Sequence, residues 1–423
     1  MGAKTKIEWC DATWNPITGC TAISAGCDNC WAKRMSKRLA GRTGYLDYDP
    51  FRVTFHDDRL EIPLRWTKPR RIAASLMGDL FHRDVPFEWI DRVFAVMAIS
   101  FQHTFLVLTK RPHRMAEWFT EHLKQKARGY WIGKPGYLFD ELLHPGQDHD
   151  SCEMRDDPAW FTERLLQLKA KYYPDVPSRA QNLGDSSLVC PWPLPNVWLG
   201  TSVENQHAAD ERIPWLLKCP AAVRFLSMEP LLGPVDLLEH IHTHRCSACN
   251  WIGFRTDITD EDENEEAVCP GCGTSDQLGP RMDFLWNPGV EAGEAERRCR
   301  QNRHSPIDWI IAGGESGPGA RPMHPDWARS VRDQCHAAGV PFFFKQWGSW
   351  IPYEQDGQPP FWNGQDGSLV DGHIFPGGLA DHIQRGEWYS PELDGVVYRR
   401  ADRRKNNRLL DGREWNDTPA VKS

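Results

Sequence analysis

The chain has 423 residues, with 13 Cys, 20 Trp and a formal net charge of −8 at pH 7. At about 150 residues per domain, this length fits two or three domains, or one large domain with insertions. No apolar run approaches the ~20 residues of a membrane helix, and Met1-Gly-Ala-Lys-Thr-Lys-Ile-Glu-Trp9 has no apolar signal segment, so a cytoplasmic protein with no membrane partner is expected.

In chain order, short runs rich in β-branched and aromatic residues predict buried strands. They are Thr13–Ile17, Phe51–Phe55, Ile72–Met77, Thr104–Leu108, Val197–Thr201, Val223–Ser227, Trp309–Ala312 and Val340–Phe344. Helical periodicity falls between several of them. It covers Pro86–Ala98, His113–Lys126, His207–Lys218 and Asp326–Ala338, with Pro86 as a start signal and Gly339 as a stop. Alternating strands and helices predict an α/β fold with a parallel sheet. Eight such units predict a (β/α)₈ TIM-type barrel; a doubly wound open sheet is the alternative. The barrel's first half spans 1–120, strands five and six lie in 196–235, and strands seven and eight lie in 307–347. Residues 121–195 and 236–306 are expected insertions, and 348–423 a C-terminal extension.

In such a barrel the active site lies at the C-terminal strand ends. Those ends carry Asp79, Lys110, Glu204, Glu229, Gly313-Gly314-Glu315 and Lys345. Carboxylates and lysines gathered on one face can bind a polar ligand or move protons. Glu204, Glu229, Lys110 and Lys345 are the catalytic candidates. Asp79, Gly313, Gly314 and Glu315 are the cofactor-binding candidates, since glycines admit close backbone approach and a glutamate accepts from an ammonium. Loops after buried strands are also polar simply because they are solvated.

Disulfides are rare in the cytoplasm, so the cysteines need another explanation. Cys20, Cys27 and Cys30 share one eleven-residue stretch. Three thiolates can hold a [4Fe–4S] cluster by three irons and leave the fourth iron open. A three-thiolate zinc site with an open position is the competing reading, with Cys10 and His56 as the nearest further ligands. Cys246-Ser-Ala-Cys249 and Cys269-Pro-Gly-Cys272, nineteen residues apart, fit a Cys₄ zinc ribbon. Cys10, Cys152, Cys190, Cys219, Cys299 and Cys335 are scattered and are expected to be core residues.

Three cysteines in the loop after the first strand of a βα barrel resemble the radical S-adenosylmethionine enzymes. Their usual spacing is C-x₃-C-x₂-C, against C-x₆-C-x₂-C here. The closer similarity is to a phage- and prophage-associated, radical-SAM-like family of unknown function with a three-cysteine motif. It rests on Ile7–Pro16, the cysteine loop, Gly78–His82, Leu108–Pro112, Leu199–Asn205, Leu226–Leu231, Gly313–Gly317, Phe344–Gly348 and Leu409–Trp415. The resemblance implies a barrel and a cluster on Cys20, Cys27 and Cys30. It further implies S-adenosylmethionine on the open iron, cleaved to a 5′-deoxyadenosyl radical by an electron from a reducing donor. In that superfamily a Gly-Gly-Glu motif after the second strand contacts the methionine amine, whereas Gly313–Glu315 follows the seventh expected strand.

The resemblance supplies no substrate. Lys33–Arg42 and Tyr398–Arg408 are basic, and basic side chains near a site can hold phosphates. A nucleotide or nucleic acid is therefore a candidate substrate, and a protein partner a candidate for the ribbon. The acidic run Asp257–Glu266 argues against phosphate binding by the ribbon itself. Two alternatives stand beside the enzyme: a zinc-dependent nucleic-acid-binding or processing protein, and a non-catalytic partner protein on a barrel scaffold.

Overall fold

The computed structural model describes residue 5 and residues 7–122, 193–241, 307–352 and 408–419. It also describes short pieces at 244–245, 252–253, 355, 361–362, 369–370, 388–389, 396 and 398–401. The chain divides into two compact units. The first holds Met1–Ser202, Trp215–Ser227 and Ser316–Gly319; the second holds Val203–Pro214, Met228–Glu315 and Ala320–Ser423.

Seven of the eight expected runs form a parallel sheet. Its strands are β1 (Ala12–Trp14), β2 (Arg71–Ala74), β3 (Thr104–Thr109), β4 (Val197–Ser202), β5 (Val223–Met228), β6 (Trp309–Gly313) and β7 (Phe342–Gln346). Strand order follows chain order. A doubly wound sheet reverses that order, so the doubly wound alternative does not describe this chain. The eighth run differs. Phe51–Phe55 contributes only Thr54–Phe55, which pairs antiparallel with Ile17–Thr18. Instead of entering the main sheet, it braces the chain leaving β1.

Within the first unit the register runs Ile72 to Phe105, Phe105 to Val197 and Trp198 to Val223. Every residue of β4 is buried, as an unbroken apolar run requires of a strand covered on both faces. Gly200 has a packing reason. A Cβ there would lie 2.5 Å from the Phe225 ring.

The helices follow the predicted signals, although 123–126 of the expected His113–Lys126 helix lie outside the described residues. They are α1 (Trp31–Leu39), α2 (Phe87–Ile99), α3 (Pro112–Glu117), α4 (Gln206–Leu217) and α5 (Pro325–Ala338). α3 continues as a π turn over Trp118–His122. His324 caps α5 by accepting from the Asp326 amide, and Gly339 ends it with φ +65°.

In the second unit β6 and β7 pair in parallel, with a register shift between Ala312 and Gly313. Leu409–Leu410 and Arg413–Glu414 form a hairpin, and Asn416 then bridges antiparallel to Phe343 on β7. The C-terminal segment so covers backbone that an open strand edge would leave unpaired.

Candidate functional site

The cysteine loop leaves the sheet at Gly19, whose φ is +89°. A Cβ there would lie 2.1 Å from the Arg52 carbonyl oxygen, so only glycine fits this turn. Gly19 donates to the Met77 carbonyl and Cys20 to the Phe51 carbonyl, which ties the loop to both flanking segments. Cys20, Cys27 and Cys30 are free thiols of intermediate exposure. Cys30 is the N-cap residue of α1. The described scattered cysteines behave differently. Cys10, Cys219 and Cys335 are buried, and burial pushes the Cys219 thiol up to about 12. They are core residues, as their scatter predicted. Cys152, Cys190 and Cys299 lie outside the described residues.

Arg111 is central to the loop. Its Nη1 donates to Cys20 Sγ at 3.4 Å and to Asp79 Oδ2 at 2.8 Å. Its Nη2 donates to Thr21 O and Oγ1 at 3.0 and 3.2 Å. Asp79 is buried and also accepts from Phe81 N, Thr109 Oγ1 and Lys110 N. Its carboxylate is thus engaged with the protein itself and fixes the guanidinium. Burial, reinforced by the Asp79 charge, pushes the Cys20 thiol up to about 11 despite Arg111. Cys20 therefore rests as a thiol, and a metal there would displace its proton.

His82 extends the same network. Its Nε2 lies 2.8 Å from Thr21 Oγ1, and its Nδ1 accepts from Asp84 N. Burial lowers its pKa, which keeps the ring neutral. Lys110 Nζ lies 3.5 Å from Ser24 Oγ, which in turn lies 3.8 Å from Cys27 Sγ. The expected ligands Cys20 and Cys27 and the expected polar residues Asp79 and Lys110 thus meet around one loop. The sequence reading named neither Arg111 nor His82 as a site residue. Both stand in segments that carry the resemblance, Leu108–Pro112 and Gly78–His82, but an arginine's reach across about ninety residues has no local signal.

His56, weighed as a further ligand, is hydrogen-bonded to Thr18 Oγ1 at 2.7 Å. Burial first, then the nearby Arg59, holds its pKa down to about 4. Among the described residues, no three His, Cys, Asp or Glu side chains are arranged to hold a single metal ion. A [4Fe–4S] cluster asks something different, one thiolate per iron. Three part-exposed thiols, a helix N-terminus and a buried guanidinium suit such a group in kind.

In the second unit, Lys345 Nζ and Glu229 Oε1 form an ion pair at 3.2 Å. Gly313 lies beside them, and a Cβ there would sit 3.1 Å from Glu229 Oε1. Three of the expected residues therefore meet. A Cβ on Gly314 would lie 2.0 Å from the Trp347 carbonyl oxygen, so this glycine serves close backbone packing. Glu315 is held by its neighbour. Its Oε2 accepts from Arg321 N and Nε, and its Oε1 from Arg321 Nη2 at 2.9 Å. Glu204 is buried and bidentate with Arg212, at 2.8 and 3.3 Å. Sequence alone offered Glu204 and Glu315 as candidate ligand or catalytic groups; the structure gives each of these two an arginine.

Cys246, Cys249, Cys269 and Cys272 lie outside the described residues, as does the acidic run. The flanking pieces His244–Arg245 and Ile252–Gly253 pair antiparallel, bracketing the first Cys-x-x-Cys.

A family model described as "Protein of unknown function (DUF5131)" matches residues 4–419. No curated protein matches, and no solved structure matches.

Proposed function

Because this chain belongs to the DUF5131 family, described as of unknown function, we propose its function from the cysteine loop: a radical-SAM-like [4Fe–4S] enzyme. Cys20, Cys27 and Cys30 would hold the cluster. Such a group, once reduced by an external electron donor, would supply the single electron that cleaves S-adenosylmethionine to methionine and a 5′-deoxyadenosyl radical. The observation that carries the reading is the loop's construction. Three free thiols follow β1 of a singly ordered parallel sheet, and a buried arginine, itself fixed by Asp79, reaches Cys20.

The chain's own residues then have separable roles. Gly19 turns the loop out of the sheet. Asp79 orients Arg111, and Arg111 holds Cys20 and Thr21 in register. Lys110 places an ammonium near Ser24 and Cys27, where it favours an anionic cluster. Glu229 and Lys345 supply a carboxylate and an ammonium for ligand binding or proton transfer. Glu204 and Glu315, each engaged by an arginine, act as positioning residues. In this reading the seven parallel strands form a barrel-like sheet. The second cysteine set forms a zinc ribbon, which the strand pairing beside Cys246 and Cys249 favours.

Anaerobic purification tests the proposal. The expected product is a brown protein with absorbance at about 400 nm and about four irons per chain. Both are lost in the Cys20→Ala/Cys27→Ala/Cys30→Ala variant. Under reduction, the native chain should release 5′-deoxyadenosine from S-adenosylmethionine. A colourless chain carrying only zinc supports the zinc-dependent alternative. An iron-loaded chain that yields no 5′-deoxyadenosine with any reductant supports the scaffold alternative.

A further inference from the structure

α1 begins at the residue after Cys30 and carries Lys33, Arg34, Lys37 and Arg38, with no acidic residue in its nine positions. Arg42 follows three residues beyond its end. The chain as a whole is net acidic, at −8, so this is a local reversal of sign. It comes at a cost to the helix. Lys33/Lys37 and Arg34/Arg38 are like-charge pairs at i,i+4, and Lys33 and Arg34 oppose the positive N-terminal end of the helix dipole. Lys37 and Arg38 fall in the last turn, where the dipole favours them, so the cost falls on Lys33, Arg34 and the like-charge spacing.

The helix is firmly seated on its other side. Ala32, Met35 and Leu39 pack with Tyr45, Met77 and Phe51. Helical spacing therefore turns Trp31, Lys33, Lys37 and Arg38 away from that core, and all four are exposed. Trp31 is 47% exposed, Ile23 in the cysteine loop 47% and Tyr48 81%. An exposed aromatic among exposed cations on α1 matches what a single-stranded nucleic acid needs: phosphate neutralisation and a flat surface for stacking. A lipid surface fits less well, because the apolar face of α1 is already spent on the core and is not free to insert.

We infer that the outer face of α1, with Trp31 and the basic side chains Lys33, Lys37, Arg38 and Arg42, binds single-stranded nucleic acid next to the cysteine loop. The inference deepens the proposed function by naming its substrate class and rests on that reading for its catalytic meaning. Arg34 belongs to the support rather than the contact. Its Nη1 and Nη2 donate to the carbonyls of Pro318 and Ser316, and Asn29 donates to Gly319 O, which holds the helix start in place.

The test is fluorescence anisotropy with a labelled single-stranded oligonucleotide and the anaerobically purified full chain. The same preparation is assayed for iron and 5′-deoxyadenosine. The native chain should bind with an affinity that falls with salt at a slope of about −0.7 per phosphate neutralised. Lys37→Glu/Arg38→Glu should weaken binding at least tenfold and flatten that slope by about 1.4. Trp31→Ala should weaken it about tenfold through lost stacking. Lysine footprinting of the native chain, which needs no variant to fold, should show Lys33 and Lys37 protected by the oligonucleotide. Absent binding at low salt, undiminished binding in both variants, or unprotected lysines overturns the inference. So does a charge-reversal variant that loses only phosphatidylglycerol vesicles, which would assign the face to a membrane surface. Iron and 5′-deoxyadenosine without oligonucleotide binding defeats this inference alone. Oligonucleotide binding without iron defeats the catalytic reading alone.

Discussion

At the scale of single residues, Arg111 is the most consequential side chain in the described structure. It is 6% exposed and Asp79 5%, so neither charge is solvated well enough to stand alone. Removing one partner strands the other, at a typical cost of ~3–5 kcal/mol. Arg111→Gln should therefore destabilise strongly in urea unfolding. Arg111→Gln/Asp79→Asn should cost clearly less than the sum of the two single variants. A sum that is simply additive would mean that the 2.8 Å contact carries no coupling. In the sequence Arg111 is only one residue of Leu108–Pro112, because nothing local tells an arginine which loop it will reach. Cys20, by contrast, was legible at once, since cysteine spacing is a one-dimensional signal.

At the scale of elements, the C-terminal hairpin shows how a short segment is fixed by charge. Asp411 and Gly412 have φ +52° and +74°, the paired positive values of a tight type I′ hairpin turn. Asp411 accepts from Arg329 Nε and Nη2, Arg332 Nη1 and Gln355 Nε2. Arg413 and Arg332 flank the Trp415 ring at 4.3 and 5.4 Å. The hydrogen bonds from Arg329 hold the Asp411 carboxyl well below its ordinary range. Folding thus lowers this pKa, so its stabilisation is complete above the unfolded carboxylate range near ~4 and is lost as pH falls below it. With the side chain about one-third exposed, screening limits the effect to ~1 kcal/mol. Asp411→Asn should lower the melting temperature at neutral pH, and the gap from the native chain should close towards about pH 2. A gap that stays constant with pH would assign the loss to turn geometry. Leu409–Trp415 carries a family resemblance in its sequence; its role as a brace on α5 and β7 is visible only in the fold.

At the scale of the molecule, the two cysteine sets are expected to be independent centres. Cys20, Cys27 and Cys30 occupy a loop anchored on β1 and α1, whereas Cys246 and Cys249 lie in sequence between His244–Arg245 and Ile252–Gly253. Cys246→Ala/Cys249→Ala should lose zinc by elemental analysis while retaining iron. The triple Cys20→Ala/Cys27→Ala/Cys30→Ala variant should do the reverse. Loss of both metals in either variant would show one shared centre, or a collapse that circular dichroism would detect. The parallel sheet itself was largely legible. Seven of the eight apolar runs became its strands, because a strand buried on both faces must be apolar throughout. Phe51–Phe55 had the composition of a strand, yet pairing geometry limited it to a two-residue brace.

Local chemistry is written in the chain, so sequence alone determined the strand and helix alternation, the stop at Gly339, the cysteine groupings and the absence of a long apolar run. Pairing across long separations is not written there, because each partner is chosen by the path of the backbone. Only the tertiary structure could decide that Arg111 meets Cys20, that Glu229 meets Lys345, and that Glu204 and Glu315 are already held by Arg212 and Arg321. Strand order belonged to the same class: the runs could be read one by one, but their unreversed sequence in the sheet became visible only once they were paired.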